Sequence, residues 1–337
     1  MSKRNYIIPI FVPHLGCPHD CVFCNQEEIT GVKRGLGYAE VIKKVDSYLE
    51  TIPKRANNIE VAFYGGSFTG IDPLYQRELL KAAKDKLLKG DINGVRLSTR
   101  PDYIDEKVLD YLEDYGVTAI ELGVQSLDEK VLKAAGRGHN REVVLKAVDL
   151  IKEYNFQLGL QIMPGLPGSS RESDFQTVKE IIQLKPDFVR IYPTLVIKGT
   201  QLASLYKSGH YIPLSLEDGV EISSTILEEL NKAQIKVIRV GLQPSEGVND
   251  DEVIAGPFHP SFRQIVESRI MLKKVEEKID DNPIKTLTIT VNSKDISNLR
   301  GQKNHNIDTL NNKYPIEEII IKRDDTLERG SVIVEAL

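Results

Sequence analysis

A chain of 337 residues, 41% hydrophobic and 28% charged, has enough apolar content to bury one large domain and a small one, which excludes a disordered polyelectrolyte. A net charge of −5 argues against wholesale binding of polyanions but leaves room for a local basic patch. No apolar run approaches the roughly 20 residues of a membrane-spanning helix, so no membrane partner is expected.

From the N-terminus, Met-Ser-Lys-Arg-Asn leads at once into an apolar run rather than a cleavable leader, so a cytoplasmic protein is expected. Short runs rich in β-branched and aromatic residues then alternate with amphipathic stretches to about residue 240. Strands are expected at 6–12, 59–64, 95–99, 118–124, 157–163 and 187–192, with a seventh candidate at 235–240. Helical periodicity fills gaps at 39–51, 74–88, 105–115, 140–154 and 171–183. Repeated βα units build a parallel sheet, so the fold class is α/β with a partial (β/α)6-type parallel barrel. Functional residues on such a sheet gather at the C-terminal strand ends. Pro244, Gly247, Gly256, Pro257 and Pro260 mark a loop-rich crossing, followed by a charged helix over about 261–280. The tail reads strand 285–291, helix 293–299, loop 301–304, helix 306–313, then strands 316–323 and 331–335. The expected division is a barrel over 1–245, a linker and helix over 246–283, and a small C-terminal α/β domain over 284–337.

All three cysteines fall in one stretch after the first strand, Cys17-Pro-His-Asp-Cys21-Val-Phe-Cys24. Their number is odd and nothing suggests secretion, so disulfides are not expected. Two metal centres remain open. Structural zinc needs four closed ligands, and His14 or His19 could complete a Cys3His set. A cubane 4Fe-4S cluster normally takes four thiolates, so three would leave one iron free for a small-molecule ligand.

Each later strand ends in polar or glycine-rich residues. The second ends in Phe63-Tyr-Gly-Gly-Ser-Phe-Thr-Gly70, where Gly65 and Gly66 lack a Cβ and let backbone approach a ligand. The third ends in Ser98-Thr-Arg-Pro-Asp102, where Arg100 could pair with a carboxylate and Asp102 reads as the start of the next element. The fourth leads to Glu121-Leu-Gly-Val-Gln-Ser126. Gln125 and Ser126 suit hydrogen bonds to a ribose, and Glu121 reads as a buried carboxylate paired internally, with Arg100 as one candidate partner. His139, in Gly136-Arg-Gly-His-Asn-Arg141, could contact substrate but suits a helix-capping role better. The fifth strand ends in Gln161-Ile-Met-Pro-Gly-Leu-Pro-Gly168, a rigid loop from which Gln161 could reach a ligand. In the sixth, Leu195, Val196 and Ile197 could pack on a flat base or simply fill core.

The cysteine spacing, with Phe23 just before the third cysteine, resembles the radical S-adenosylmethionine (SAM) superfamily. The ordered runs Gly-Gly-Ser-Phe, Thr-Arg-Pro-Asp, Gly-Val-Gln-Ser, Arg-Gly-His, Met-Pro-Gly-Leu-Pro-Gly and Ile-Tyr-Pro-Thr-Leu-Val-Ile-Lys-Gly-Thr extend the likeness. Over about residues 6–205 they resemble the radical SAM domain of the Elongator catalytic subunit family. The Gly-Val-Gln-Ser and Gly-Arg-Gly-His stretches are also similar to oxygen-independent coproporphyrinogen oxidases, which keeps porphyrin-type or other small-molecule chemistry as an alternative. The resemblance implies a 4Fe-4S cluster on Cys17, Cys21 and Cys24. It also implies S-adenosyl-L-methionine held by Phe23 beside adenine, by the Gly65, Gly66 and Ser67 turn on the methionine amino group, and by Arg100, Gln125, Gln161 and Leu195. A flavodoxin or ferredoxin would supply one electron, SAM would be cleaved to a 5′-deoxyadenosyl radical, and that radical would take hydrogen from a substrate, with tRNA or other RNA foremost. Tyr64, Tyr192 and His139 are candidates to quench the substrate radical, although structural roles account for each at least as well. Two departures limit the likeness. The family's first two cysteines are much further apart, and no acetyl-CoA loop is found before Leu337, so its acetyl-CoA-dependent chemistry is not carried over whole.

The tail order resembles a KH-type module, which clamps nucleic-acid backbone with a Gly-X-X-Gly loop between two helices. Here the loop is Gly301-Gln-Lys-Asn304. Asn can replace the second glycine if that position is left-handed. Arg300, Lys303 and His305 would then face phosphates; otherwise the module is a small α/β cap on the barrel.

Overall fold

The computed structural model describes residues 5–12, 21–24, 35–53, 56–244, 248–280 and 282–337. The expected metal ligand Cys17, and His14 and His19, lie outside the described residues. The chain divides into two compact units, one of residues 1–214 with 230–256, the other of 215–229 with 257–337.

The first unit is built on seven parallel strands: β1 (Asn5–Val12), β2 (Asn58–Gly65), β3 (Gly94–Thr99), β4 (Val117–Gln125), β5 (Gln157–Ile162), β6 (Phe188–Ile191) and β8 (Lys236–Val240). They lie side by side in chain order, and β1 and β8 are the two edges, so the sheet is a curled, partial barrel. The short strands β7 (Val196–Ile197) and β9 (Val253–Ala255) pair separately and antiparallel. Central strands of a parallel sheet are covered on both faces, and their sequences are accordingly near-continuous apolar runs. Val61, Ala62 and Phe63 of β2 and Ile120 and Leu122 of β4 have no exposed surface.

Helix starts follow local side-chain chemistry. Asp72 accepts from the amides of Leu74 and Tyr75, with Pro73 opening the helix Pro73–Leu88. Asp105, Asp128, Asn140, Ser170 and Thr200 cap the helices Glu106–Asp114, Glu129–Ala134, Arg141–Lys152, Arg171–Gln183 and Gln201–Lys207 in the same way. These connections therefore end in a residue that satisfies the first free amides of its helix, whereas the helix Tyr38–Thr51 starts at Gly37 with no side-chain cap. This fixes where each strand-end loop begins and stops.

The second unit carries a three-stranded sheet of β10 (Ile284–Val291), β11 (Ile316–Arg323) and β12 (Val332–Ala336). The central β10 runs parallel to β11 and antiparallel to β12. The helix Phe262–Glu276, which sits in the expected linker region, gives Met271, Leu272 and Val275 to a core shared with Leu287, Ile289, Val291, Leu299 and Leu310. Among the described residues, no helix is long and apolar enough to cross a membrane.

Candidate active site

The C-terminal strand ends of the first unit converge on a solvent-open cleft of about 110 Å³. Its wall is made by Cys21, Phe23 and Cys24 from the cysteine loop, Gly65, Gly66 and Ser67 after β2, and Ser98, Thr99 and Arg100 at the end of β3. Gly123 and Gln125 of β4, Arg137, and Gln161 of β5 complete it. Seven of the eight residues expected to bind cofactor lie on this wall. Leu195 is not among the lining residues; it is buried, with its side chain near Gly256.

The cysteine loop is fastened from both sides. Cys24 N–H donates to Cys21 C=O at 2.9 Å, closing a turn, and Val22 exchanges backbone bonds with Ala135 and Leu202. Phe23 packs on two small apolar clusters, one with Val22, Val196 and Leu202, the other with Val131, Ala135 and Leu166. The turn after β2 is equally constrained. Gly65 has φ +111°, a conformation that side chains rarely adopt. Ser67 Oγ bonds Thr99 Oγ1 and accepts the Arg100 N–H, tying this turn to the end of β3.

Two guanidinium groups face the Cys21 sulfur. Arg100 Nη1 lies 3.7 Å from Sγ and Arg137 Nη1 lies 3.3 Å from it. Arg100 also clasps Asp102 with two bonds of 2.9 Å, and it donates to the Arg137 carbonyl. Arg137 is buried, donates to Gly123 C=O at 2.5 Å, and has its charged end 6.0 Å from the Phe23 ring centre. Burial pushes the Arg137 guanidinium down from its ordinary value, and the neighbouring Cys21 is the largest opposing influence. Burial and the nearby Arg137 charge bring His139 to about 4, so it is neutral near pH 7.

Beneath the cleft, Glu121 has no exposed surface and its partners are Arg96 and Arg190. The expected pairing with Arg100 is therefore corrected: Arg100 sits at the strand end, where Asp102 is two residues away, while Arg96 and Arg190 sit at the depth of Glu121. Tyr64 Oη and Gln161 Nε2 also donate to Glu121, each at 3.2 Å, and Arg190 reaches the hydroxyls of Tyr64 and Tyr192. Tyr64 and Tyr192 thus serve a buried ionic network, and neither lines the cleft. Gln161 belongs to both and couples the network to the wall.

Arg137 is the residue that the sequence reading passes over. It lies in the Gly-Arg-Gly-His run, where His139 drew attention instead. The signal was present: an arginine between Gly136 (φ +65°) and Gly138 (φ +72°) sits on a backbone that turns sharply enough to fold its side chain inward.

The donor set suits a cluster and SAM. Thiol sulfurs with N–H donors beside them match an anionic iron–sulfur centre. The bare Gly65–Gly66 backbone allows close approach, and the buried Gln125 Oε1 has no partner among the described residues, an acceptor that a ribose hydroxyl would satisfy.

Residues 11–181 match the family model of the radical SAM superfamily, and residues 186–271 match that of the radical SAM C-terminal domain. The tRNA uridine(34) acetyltransferase of Methanocaldococcus jannaschii is 33% identical over 248 residues, covering 62% of this chain and 46% of that protein. The human Elongator complex protein 3 is 31% identical over 242 residues, covering 66% and 43%. The chain spans about half the length of the curated relatives it matches. A solved structure of an archaeal Elongator protein from Methanocaldococcus infernus, with an N-terminal deletion, superposes with a TM-score of 0.64 at 26% identity, over 81% of this chain and 63% of that one. The cofactors of the superfamily are a 4Fe-4S cluster and SAM. With its cysteine loop, curled parallel sheet and family match in agreement, this chain belongs to the radical SAM superfamily, among relatives of the Elongator type.

Proposed function

We propose that this protein is a radical SAM enzyme that modifies RNA, with tRNA as its substrate class. The observation that carries the reading is a cleft in which two cysteines, a bare diglycine turn and a glutamine oxygen with no partner among the described residues meet at the strand ends. Cys17, Cys21 and Cys24 would hold the cluster. When bound, cluster and SAM supply one-electron reductive cleavage to a 5′-deoxyadenosyl radical, the species that takes hydrogen from substrate. The protein's own residues position and enclose. Phe23 would offer an aromatic face to adenine, the Gly65–Gly66 carbonyls would accept from the methionine amino group, Ser67 fixes that turn, and Gln125 would accept from the ribose. Arg100 remains the candidate for the SAM carboxylate, although Asp102 already holds two of its donors. The buried apolar residues around Phe23 exclude water from the cysteine side of the cleft. A flavodoxin or ferredoxin is the fitting electron donor, and a reducing cytoplasm the fitting location, because the centre needs low potential and free thiols.

Support for RNA comes from the names of the relatives and from the second unit. Its inter-helix loop has Gly301, Lys303 and Asn304 at φ +71°, +50° and +62°. Asn304 thus adopts the left-handed conformation that a second glycine would otherwise supply. Arg300, Lys303 and His305 are exposed on it.

Mass spectrometry of tRNA nucleosides from cells with and without the protein tests the substrate class. A nucleoside that disappears with the gene and returns with the parent but not with Cys24→Ser is expected; identical profiles would refute tRNA as substrate. In binding assays, Arg300→Ala with Lys303→Ala should weaken RNA affinity and flatten its logarithmic salt dependence by about 1.4 for two lost phosphate contacts. Unchanged affinity would remove the loop from the reading.

A further inference from the structure

Two arginines approach Cys21 Sγ, and they are not equivalent. The Arg100 charge is matched by Asp102 through a two-bond pair. Arg137 has no carboxylate partner among the described residues. Its Nη1 lies 3.3 Å from Cys21 Sγ, its Nη2 is fixed by the Gly123 carbonyl, and its buried Nε has no partner. A guanidinium that is 4% exposed and unpaired is costly to bury. Its backbone is held as firmly as its side chain: Arg137 N–H donates to Leu132 C=O, and the Arg137 carbonyl accepts from Arg100. A structural role would be served more cheaply by a neutral side chain. Among the described residues, the group within hydrogen-bond reach of Arg137 that can carry a negative charge is the Cys21 sulfur, once it is a thiolate; Asp102 acts on it only at longer range.

We propose that Arg137 is a positioning residue that sets the reduction potential of the iron–sulfur centre through Cys21. This rests on the cluster reading above. Reduction adds one electron, and hence one negative charge, to the centre. The electron comes from a low-potential iron–sulfur or flavin protein in the cell and from dithionite in the test. A fixed positive charge and an N–H···S bond at a ligand sulfur both favour the more negative, reduced state, and burial keeps water from screening them. Arg137 therefore raises the potential and brings the centre within reach of its donor. Arg100 contributes less, because Asp102 offsets it. Removing the Asp102 charge should act in the opposite direction to removing Arg137.

The test is an anaerobic redox titration of the reconstituted full chain, without SAM, followed by the electron paramagnetic resonance of the reduced cluster. Iron and sulfide are counted in each sample. Arg137→Gln and Arg137→Met should shift the midpoint to more negative values at unchanged iron content. Arg137→Lys, which keeps the charge, should stay near the parent. Asp102→Asn should shift the midpoint the other way. Parental midpoints in both neutral variants would overturn the proposal. If the neutral variants hold no iron, Arg137→Lys decides: a midpoint near the parent's supports the proposal, and one far below it overturns it. A parent that binds no iron would instead overturn the cluster reading itself, so the two failures are distinguishable.

Discussion

Around Glu121, single side chains determine whether the floor of the barrel is tolerated at all. Its carboxylate is fully buried and holds Arg96 and Arg190 at once. Removing one partner of a buried ionic cluster leaves the others uncompensated, at a cost of about 3–5 kcal/mol. Arg96 is also paired with Glu60. Glu121→Ala should therefore lower the urea midpoint by that equivalent; a loss below about 1 kcal/mol would show that Glu60 alone can hold Arg96. Asp174 is a different case. Burial brings its carboxyl up to about 7, while its side chain accepts the Gly165 N–H of the loop whose Leu166 packs in a cluster with Phe23. Between about pH 4 and 7 the folded chain keeps a proton that the unfolded chain has released, so stability falls as pH rises across that window. Asn keeps the acceptor and cannot ionise. Asp174→Asn should match the parent near pH 4 and exceed it above pH 7, by something on the order of 4 kcal/mol in thermal or denaturant unfolding. A difference that stays constant with pH would contradict the assignment. At this scale the sequence is informative for small, backbone-like chemistry and poor for long side chains. Cys21, Gly65 and Gln125 act where they stand in the chain. Arg137 and Arg190 act several ångströms away, across neighbouring strands, and only the packed sheet decides which carboxylate or sulfur each one meets.

Among the elements, strands and caps were the most legible. Apolar runs a few residues long, each followed by Asp, Asn, Ser or Thr before an amphipathic stretch, mark both the strand and the helix start that follows. The helix Phe262–Glu276 was legible as a helix, but its apolar residues do not say which core receives them; Met271 and Val275 join that of the C-terminal sheet. The antiparallel pair of Val196–Ile197 with Val253–Ala255 was not legible, because two- and three-residue strands carry no periodicity. The inter-helix loop of the C-terminal module is held by Asn306, whose buried amide donates to the carbonyls of Ser268, Asn298 and Leu299. Gly301 packs against that amide at φ +71°, ψ 173°, a region open essentially to glycine, and a Cβ there would stand 3.0 Å from Asn306 Oδ1. Gly301→Ala should destabilise the module by about 1–3 kcal/mol. Hydrogen exchange of β10 and β11 amides would register it; unchanged protection would mean that the loop relaxes freely.

For the whole molecule, the parallel sheet does what such sheets generally do: it gathers the ends of β2, β3, β4 and β5 around one cleft and leaves chemistry to the loops. The family follows from the entire length of that arrangement rather than from any one motif, which is why a run of short strand-end signatures was readable in sequence while the substrate was not. A substrate is recognised by surfaces assembled from distant residues, and neither spacing nor periodicity encodes these. Radical SAM chemistry in the cleft, with one electron turned into a carbon radical at an iron–sulfur centre, is the proposal at this scale. Its most direct test is anaerobic reconstitution followed by incubation with SAM and dithionite, with 5′-deoxyadenosine measured by chromatography. A brown protein that forms 5′-deoxyadenosine, with Cys21→Ser and Cys24→Ser variants that form none, is expected. A colourless zinc-loaded protein, or a Cys24→Ser variant as active as its parent, would contradict it.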